Sequence, residues 1–378
     1  MVNRKRIGII YNYTEEWIAG AYYYLNIIKA LKTLPDKKKP KIIIIYQSED
    51  GLNLVKEINY PFLEFVHKSQ KIHVIKRAVN KLGRGIGTKQ IFEPIFYKTK
   101  IDYAYPGSLL GLKKTYRWIP DFQEDYYPEF FSKELVKYRK DYQQNISESN
   151  DSVVFSSYDA MNDFKRLYPK YSCELKVLQF ASVLSYEYQN IPIKELLLKY
   201  EIKKRYFFAP NQFWQHKNHI TILKALTELK KKNNIDFQVV MSGNPNDYRN
   251  KDHYQTLEKY VLDNSIGDCV RFIGFIDRNE QLQLMNHSLA IIQPSLFEGW
   301  STVLEEAKAM SKYVILSDLP VHKEQLNFNC SFFERNSPLS LAENISNFLK
   351  GNVVHIEPVD YKKNINKFAL DFVSLFED

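Results

Sequence analysis

The sequence predicts an α/β fold built from two doubly wound, Rossmann-like domains. Its length of 378 residues is about twice the usual size of a single domain. Short β-rich runs alternate with amphipathic helical segments along both halves of the chain, which is the pattern of βαβ units. The run Lys41–Tyr46 contains four consecutive isoleucines, as expected for a strand that is buried on both faces of a parallel sheet.

The first half begins with a predicted strand at Arg6–Tyr11 and a predicted helix at Ala21–Leu34. Ser156 and Ser157 are typical N-cap residues, and they predict a helix that runs to about Tyr168. The other strands predicted in this half are Lys41–Tyr46, Ile72–Ile75, Ile101–Ala104 and Val153–Phe155.

A second series of strands and helices begins near Arg205 and continues almost to the last residue. The join is expected around Ile191–Lys204, which predicts one domain over residues 1–195 and another over residues 196–360. The periodic segment Tyr361–Phe376 predicts a terminal helix. The second series has predicted strands at Arg205–Ala209, Phe237–Met241, Val270–Ile273, Leu289–Gln293 and Tyr313–Leu316, and predicted helices at Asn218–Lys231 and His253–Leu262.

The composition excludes several classes of protein. The three cysteines are too far apart in the sequence for a disulfide framework or a zinc knuckle. No apolar run approaches the roughly 20 residues of a membrane-spanning helix, and no signal peptide follows Met1–Arg6, so a cytoplasmic location is expected. The sequence lacks Asp-x-Asp motifs, metal-ligand histidine spacings and recognisable nucleic-acid-binding modules. We therefore expect no metal ion, no other cofactor and no nucleic-acid partner.

The formal net charge of +9 lies entirely in the first half of the chain. Residues 1–195 hold 31 basic and 22 acidic residues, whereas residues 196–378 hold 22 of each. A basic, tyrosine-rich half suits phosphate-bearing ligands or an anionic membrane surface. A solvated surface with a bias towards lysine is the alternative, and the sequence leaves both open.

The segment 289–325 carries the clearest chemical signal. A predicted buried strand ends before Pro294, and a loop containing Glu298 and Gly299 leads into a predicted helix. The amides of a first helical turn lack partners within the helix and can bind an anion, and glycine permits close backbone approach. Glu298 and Glu306 can hold hydroxyl groups of a polyol whose phosphate meets those amides. The other candidate ligand contacts here are Trp300, Ser301, Thr302 and Val303.

This segment resembles the E-x7-E motif of the retaining glycosyltransferases of family 4. These have the GT-B fold, in which two Rossmann-like domains face a cleft. The resemblance implies that Glu298 contacts hydroxyls of the donor sugar and that Glu306 binds the ribose of the nucleotide. It also implies that the backbone of Ser301–Val303 meets the diphosphate.

Further positions match this family in the second predicted domain. Lys217 matches a lysine that binds the donor diphosphate in the family, and Asn211 or Gln212 stands where the family carries an arginine. An amide can donate a hydrogen bond to phosphate but brings no charge. The resemblance therefore makes Lys217 the main stabiliser of the leaving group. The loop that meets the nucleotide base corresponds to Gly274, Phe275 and Ile276.

The first predicted domain matches the family more loosely. Gly20 and Ala21 stand where the family has a Gly-Gly pair close to the donor phosphates. Asp121, Gln123 and Glu124 lie in the segment that often supplies a sugar-contacting histidine, and they are candidate acceptor contacts. Turn and helix-capping roles remain the alternative for these three residues. The resemblance also implies acceptor binding by the first domain, nucleotide-sugar binding by the second, and packing of helix 361–378 on the first.

The predicted function is that of a retaining, metal-independent hexosyltransferase. It would move a sugar from a nucleoside-diphosphate sugar to a glycan or lipid-linked glycan in bacterial surface polysaccharide assembly. The basic first half adds the expectation of peripheral binding at the inner face of the cytoplasmic membrane. Two alternatives remain open, namely a GT-B nucleotide-sugar epimerase and a catalytically silent subunit that binds sugar nucleotides.

Overall fold

The computed structural model describes residues 4–13, 18–68, 100–107, 109, 112, 114–232, 235–352 and 356–377. The chain divides into two compact units. The first comprises Met1–Pro120, Arg139–Val183 and Lys362–Asp378. The second comprises Asp121–Tyr138 and Leu184–Tyr361.

The strands and α-helices of the described residues are numbered in chain order. The strands are β1 (Arg6–Tyr11), β2 (Lys41–Tyr46), β3 (Leu63–His67), β4 (Tyr103–Tyr105), β5 (Tyr116–Ile119), β6 (Ser152–Phe155), β7 (Glu174–Val177), β8 (Arg205–Pro210), β9 (Phe237–Ser242), β10 (Val270–Phe272), β11 (Ile291–Gln293), β12 (Val314–Ser317) and β13 (Cys330–Phe333). The helices are α1 (Ile18–Thr33), α2 (Leu52–Lys56), α3 (Gln123–Tyr126), α4 (Lys133–Ser147), α5 (Tyr158–Leu167), α6 (Ile193–Lys199), α7 (His219–Lys232), α8 (His253–Asp263), α9 (Arg278–His287), α10 (Thr302–Ala309), α11 (Pro320–Gln325), α12 (Pro338–Leu349) and α13 (Lys362–Ser374). Among these helices, none is long and apolar enough to cross a membrane.

The first unit contains two parallel sheets, ordered β3-β2-β1-β4 and β5-β6-β7. The isoleucines 42–45 of β2 are buried, which confirms the prediction of a strand covered on both faces. Ser157 caps α5 as predicted, because its Oγ accepts a hydrogen bond from the Ala160 backbone N–H at 3.1 Å. The predicted strand Ile72–Ile75 lies outside the described residues.

The last helix, α13, belongs to the first unit. It packs against α1, and the ring of Phe376, just beyond α13, lies 5.3 Å from that of Tyr103 and 4.8 Å from that of Tyr116. The ammonium of Lys5 donates a hydrogen bond to the Phe376 carbonyl at 3.2 Å. Residues near the two ends of the described chain are therefore in direct contact.

The second unit is built on a six-stranded parallel sheet, ordered β10-β9-β8-β11-β12-β13. From β8 the chain moves outward through β9 and β10, returns to β11 beside β8, and then moves outward on the other side. Helices α7, α8 and α12 contribute to one core cluster, and α6, α9 and α10 contribute to the other. This is the doubly wound arrangement that the alternating pattern predicts.

The boundary between the units differs from the predicted one. Residues 121–138 and 184–195 belong to the second unit, although the sequence placed them in the first domain. The Gln283 side chain of α9, for example, donates a hydrogen bond to the Ile191 carbonyl at 2.7 Å. Such contacts join segments that are far apart in the sequence, so strand–helix alternation does not reveal them.

Candidate functional site

The carboxyl ends of β8 and β11 define the candidate site in the second unit. These two strands are neighbours in the sheet, and the order of the strands reverses between them. In open α/β sheets, ligands bind beyond the carboxyl ends of the strands at such a point. The loop after β8 carries residues 211–217, and the loop after β11 carries residues 294–301. These loops contain several of the residues that the sequence singled out.

Lys217 and Glu298 are brought together at this edge. The Lys217 ammonium lies 2.6 Å from Glu298 Oε1, and the two side chains are only 15% and 8% exposed. Gln293 Nε2 and Ser295 Oγ also donate to Oε1, at 2.9 and 2.7 Å. Burial alone would raise the pKa of Glu298, but Lys217 and His322 outweigh it and hold that pKa below its usual range. Glu298 is therefore an ionised carboxylate at neutral pH.

Glu306 is fully buried in α10 and forms an ion pair with Arg278. Its Oε1 accepts a hydrogen bond from the Arg278 guanidinium, whereas its buried Oε2 has no partner among the described residues. A buried carboxylate oxygen normally has a hydrogen-bond partner. Oε2 is therefore available to accept a hydrogen bond from a ligand hydroxyl. Sequence reasoning missed Arg278, because an arginine at the start of a helix carries no special signal.

The N-terminus of α10 agrees with the prediction in part. Ser301 is the N-cap, with Oγ accepting from the Leu304 amide at 3.4 Å, and Thr302 is the first helical residue. The Ser301 amide donates to Gln325 Oε1 at 2.9 Å, so it is already occupied and does not face a phosphate. The amides of Thr302 and Val303 lie in the first turn, where no intrahelical acceptor exists. Two of the three predicted amides are therefore positioned to bind an anion.

Gly299 and Trp300 lie in the loop just before this N-cap, and both are half-buried. The Lys308 ammonium of α10 lies 5.7 Å from the centre of the Trp300 ring. Cations at this distance from an aromatic face are attracted to it. This contact places Trp300 against the helix that begins at Thr302.

Asn211 and Gln212 bind neighbouring protein groups. Asn211 Nδ2 donates to Gln293 Oε1 at 2.8 Å, and Gln212 Oε1 accepts from the Asn244 amide at 2.6 Å. The backbone of Gly243 packs closely against Asn211. Any side chain at Gly243 would collide, since a Cβ atom there would lie 2.1 Å from the Asn211 carbonyl oxygen. Asn211 thus has one donor engaged, whereas the Gln212 contact uses its oxygen, and the expected contact of one of these amides with the diphosphate stays a prediction. The two side chains connect the loops around the site.

The Gly274–Ile276 loop lies beside Gly243. Gly274 has a left-handed φ of +68°, and its carbonyl accepts a hydrogen bond from the Gly243 amide at 2.8 Å. Phe275 is exposed, whereas the Ile276 side chain is buried in the core. Only the backbone of Ile276 can therefore serve the predicted contact with a nucleotide base.

The three predicted acceptor contacts lie in the second unit rather than the first. Asp121 Oδ1 accepts from the Gln123 amide at 3.1 Å, as in a turn. Gln123 Nε2 is buried without a partner in the described part of the chain, so it can donate to a ligand. Glu124 is fully buried, and its expected contact with an acceptor sugar stays a prediction.

Arg249 is a second basic residue that the sequence did not single out. Its Nε lies 3.0 Å from Asp247 Oδ1, and its guanidinium carbon lies 5.0 Å from the Trp214 ring centre. Its Nη2 lies 3.2 Å from His216 Nδ1. Burial lowers the pKa of His216 well below its usual value, and the charges of Lys217 and Arg249 lower it further. The neutral His216 can therefore accept a hydrogen bond from Arg249.

Gly20 and Ala21 are not in this unit. Both lie near the start of α1 in the first unit, and both are buried. Their predicted contact with the donor phosphates stays a prediction.

Comparisons with known proteins agree with this arrangement. Residues 194–368, a little under half of the chain, match the family model described as "Glycosyl transferases group 1". The chain is 26% identical over 208 residues to the O-antigen chain mannosyltransferase RfbU of Salmonella typhimurium. That alignment covers 55% of this chain and 53% of RfbU, so the chain spans about half the length of this relative.

Two solved structures resemble nearly the whole chain. A glycosyltransferase from Rickettsia africae has a TM-score of 0.62 at 16% identity, covering 99% of this chain and 94% of its own. Anabaena Alr3699/HepE, in complex with UDP and glucose, has a TM-score of 0.61 at 14% identity, covering 99% and 96%. These similarities confirm the predicted GT-B fold, with parallel sheets in two Rossmann-like units.

Proposed function

We propose that this protein is a glycosyltransferase that moves a sugar from a nucleoside-diphosphate sugar to a glycan or lipid-linked glycan in bacterial surface polysaccharide assembly. One observation carries the proposal. Lys217, Glu298 and Glu306 lie on the loops and the helix that follow the two central strands of the second unit. They provide a cation and two carboxylates where an α/β sheet binds its ligand.

Each of these side chains has unused hydrogen-bonding capacity suited to the donor. The Lys217 ammonium has three protons, and its hydrogen bond to Glu298 uses one. The other two can meet oxygens of the diphosphate. No described residue donates to Glu298 Oε2, which can accept from a sugar hydroxyl. The buried Oε2 of Glu306 can accept from a ribose hydroxyl.

The proposed catalysis stabilises the departing diphosphate. Negative charge develops on the leaving group as the bond to the sugar breaks, and pre-positioned donors that meet this charge usually supply the largest catalytic contribution. Lys217 and the first-turn amides of Thr302 and Val303 fill this role. The resemblance of the 294–306 segment to family 4 supports a retaining, front-face reaction in which a diphosphate oxygen takes the acceptor proton. A bound metal ion is not needed, because Lys217 supplies the positive charge.

The identities of the relatives suggest the substrates. RfbU is an O-antigen chain mannosyltransferase, and the HepE crystals contain UDP and glucose. We therefore propose a hexosyl donor and a growing polysaccharide or its lipid-linked precursor as the acceptor. The basic first unit would meet an anionic membrane surface or the pyrophosphate of a lipid carrier from the cytoplasmic side.

A catalytically silent subunit is the second candidate function. Asn211 or Gln212 stands where the family has an arginine, and neither side chain carries a charge. The site would then have less positive charge for the leaving group than an active family member. Such a protein would still bind a sugar nucleotide.

A two-step experiment tests the proposal. Thermal unfolding is first measured with UDP, GDP, UDP-glucose and GDP-mannose, because a ligand that binds only the folded state raises the midpoint. The donor that stabilises the protein is then incubated with and without a lipid-linked glycan, with and without EDTA, and the products are analysed by mass spectrometry and NMR. Transfer with a retained anomeric configuration and no effect of EDTA supports the proposal. A new sugar nucleotide from the donor alone indicates an epimerase, and binding without any product indicates the silent subunit.

A further inference from the structure

Gln293 is a polar residue in a position that normally holds an apolar one. It ends β11, a central strand of the second unit, and it is fully buried. A buried amide is costly unless its oxygen and nitrogen are hydrogen-bonded. Every contact of this amide is with a residue in the candidate donor site.

The orientation of this amide follows from its neighbours. Asn211 Nδ2 lies 2.8 Å from Gln293 Oε1, and Glu298 Oε1 lies 2.9 Å from Gln293 Nε2. If the Gln293 amide were flipped, its nitrogen would face the Asn211 nitrogen and its oxygen would face the Glu298 carboxylate. Neither contact could form a hydrogen bond. The Asn211 donor therefore holds the Gln293 nitrogen towards the Glu298 carboxylate.

The same nitrogen reaches two hydroxyl groups around the carboxylate. Ser295 Oγ lies 3.2 Å from Gln293 Nε2, and Ser301 Oγ lies 3.5 Å from it. Ser295 in turn donates to Glu298 Oε1 at 2.7 Å. Gln293 thus connects the loop after β8, the loop after β11 and the N-cap of α10 through one side chain.

These contacts make the two carboxylate oxygens of Glu298 unequal. Glu298 Oε1 accepts from Lys217, Gln293 and Ser295, whereas no described residue donates to Oε2. Since Oε1 is saturated, Oε2 is the oxygen left for a ligand. Hydrogen bonds to the charged form also favour the ionised carboxylate. The orientation of the Glu298 carboxylate therefore depends in part on Gln293, which lies behind it in the strand.

We infer that Gln293 is a positioning residue that orients Glu298 so that Oε2 accepts a hydroxyl of the donor sugar. The inference rests on the proposed function, because it takes Glu298 to contact the sugar. Asn211 has a defined part in it, since its amide nitrogen donates to Gln293 Oε1 and so holds the Gln293 amide in this orientation.

The test compares the sugar-dependent part of binding between variants. Calorimetry measures the affinities for UDP-glucose, GDP-mannose, UDP and GDP, using full-length wild type, Gln293→Met and the control Gln238→Met. Gln238 is also a buried strand glutamine, but it binds the backbone amides of Lys203 and Lys204, which precede β8. The control therefore reports the general effect of losing a buried amide in this sheet.

Gln293→Met should weaken binding of the preferred sugar nucleotide by roughly ten- to a hundredfold, the range for a hydrogen bond to a charged group. Binding of the free nucleoside diphosphate should change by less than about twofold, because Glu298 does not contact it. Gln238→Met should leave both affinities unchanged. Equal losses for the nucleotide and the sugar nucleotide, or no loss for either, would overturn the inference.

A double-mutant cycle separates positioning from a merely structural role. In a Glu298→Gln background, adding Gln293→Met should change the affinity for the sugar nucleotide by less than about twofold, because the group that it positions is already altered. Independent effects that simply add would contradict the inference. If Gln293→Met does not fold, Gln293→Asn keeps a buried amide but, being one methylene shorter, withdraws its nitrogen from Glu298. It should show the same selective loss.

The outcome for the proposed function is read separately. A wild-type protein that binds no sugar nucleotide more tightly than the free nucleotide, with Glu298→Gln unchanged, contradicts the role of Glu298 and with it the inference. The inference alone is contradicted if the wild type prefers the sugar nucleotide to the free nucleotide and this preference is lost in Glu298→Gln but kept in Gln293→Met.

Discussion

Lys217 and Glu298 form a nearly buried ion pair, with Nζ 2.6 Å from Oε1. Both residues were predicted to contact the donor, one at the diphosphate and the other at the sugar. Their pairing keeps each charge compensated before any ligand arrives, which matters because an isolated buried charge is costly. The two remaining protons of the Lys217 ammonium can bind a diphosphate while the third stays on Glu298, so both predicted roles can be filled at once.

Replacing Lys217 tests the proposed leaving-group contact. Lys217→Met should lower the transfer rate by about a hundred- to a thousandfold, the usual effect of losing one donor to developing negative charge. Lys230→Met is the matched control, since Lys230 forms a more exposed ion pair with Asp268 at 2.8 Å. The control should retain the wild-type rate in a donor-saturated assay. Near-normal turnover by Lys217→Met would contradict the role given to this residue.

The pH dependence of stability tests the charge state of Glu298. Its pKa in the folded protein is held below the value in the unfolded chain, which is about 4.3. The ionised form therefore stabilises the fold above about pH 4.3, and this stabilisation is lost as the pH falls through the folded-state pKa. Urea unfolding should show wild type more stable than Glu298→Gln at pH 7, and the difference should shrink below about pH 4. A difference that stays constant would argue against the ion pair.

The Arg278–Glu306 pair should contribute to both stability and nucleotide binding. Arg278→Met leaves the fully buried Glu306 carboxylate without its cation. We expect a loss of about 1.5–3 kcal/mol in the free energy of unfolding, the range for a hydrogen bond to a charged group. The larger penalty of a completely buried pair does not apply, because Arg278 keeps some contact with solvent. In urea unfolding, the double variant Arg278→Met/Glu306→Gln should be more stable than Arg278→Met alone. If the losses of unfolding free energy from the two substitutions simply add, the pairing is contradicted.

Gly243 should tolerate no side chain. A Cβ atom there would lie 2.1 Å from the Asn211 carbonyl oxygen, and the backbone has a φ of +155°. Gly243→Ala should cost about 1–3 kcal/mol, the typical cost of a strained backbone position, and should weaken nucleotide binding by moving the loop after β8. Gly267→Ala is the control, because the nearest atom to a Cβ there is 3.9 Å away. Equal stability of the two variants in urea would contradict this account.

Binding to anionic vesicles tests the basic first unit. Assigning the sequence to the two units gives the first 31 basic and 18 acidic residues and the second 22 and 26, so the net charges are +13 and −4. The full chain should sediment with vesicles of phosphatidylcholine and phosphatidylglycerol at low salt and should be released as salt is raised. Vesicles of phosphatidylcholine alone are the control. No binding at low salt would favour the alternative of a solvated, lysine-rich surface.

The sequence predicted the central strands and their connecting helices well. β1 and β2 have the predicted bounds, and β8 extends the predicted strand by one residue. The four isoleucines of β2 explain this success, because a continuous apolar run has few other places to lie than a buried strand. Edge strands such as β13 (Cys330–Phe333) were missed. Their half-buried pattern is short and gives no comparable signal.

The site was predicted in part, for a similar reason. Glu298 and Glu306 were singled out because the segment around them resembles the E-x7-E motif of family 4. Their partners Arg278 and Gln293 carry no local signal, since each becomes important only when the fold brings distant segments together. Gln325 is a third example, because its side chain reaches the Ser301 backbone across 24 residues of sequence. Long-range hydrogen bonds of this kind cannot be read from local patterns.

The place of α13 in the first unit has a consequence for biosynthesis. The ribosome synthesises the first unit up to Val183 and then most of the second unit before it reaches Lys362, where α13 begins. At ribosomal speed this delay is on the order of 10 s. Throughout that time the aromatic surface around Tyr103 and Tyr116 lacks the cover of Phe376. The nascent first unit is therefore a natural client for chaperones, and a chain truncated before α13 should be recognised as incomplete by quality control.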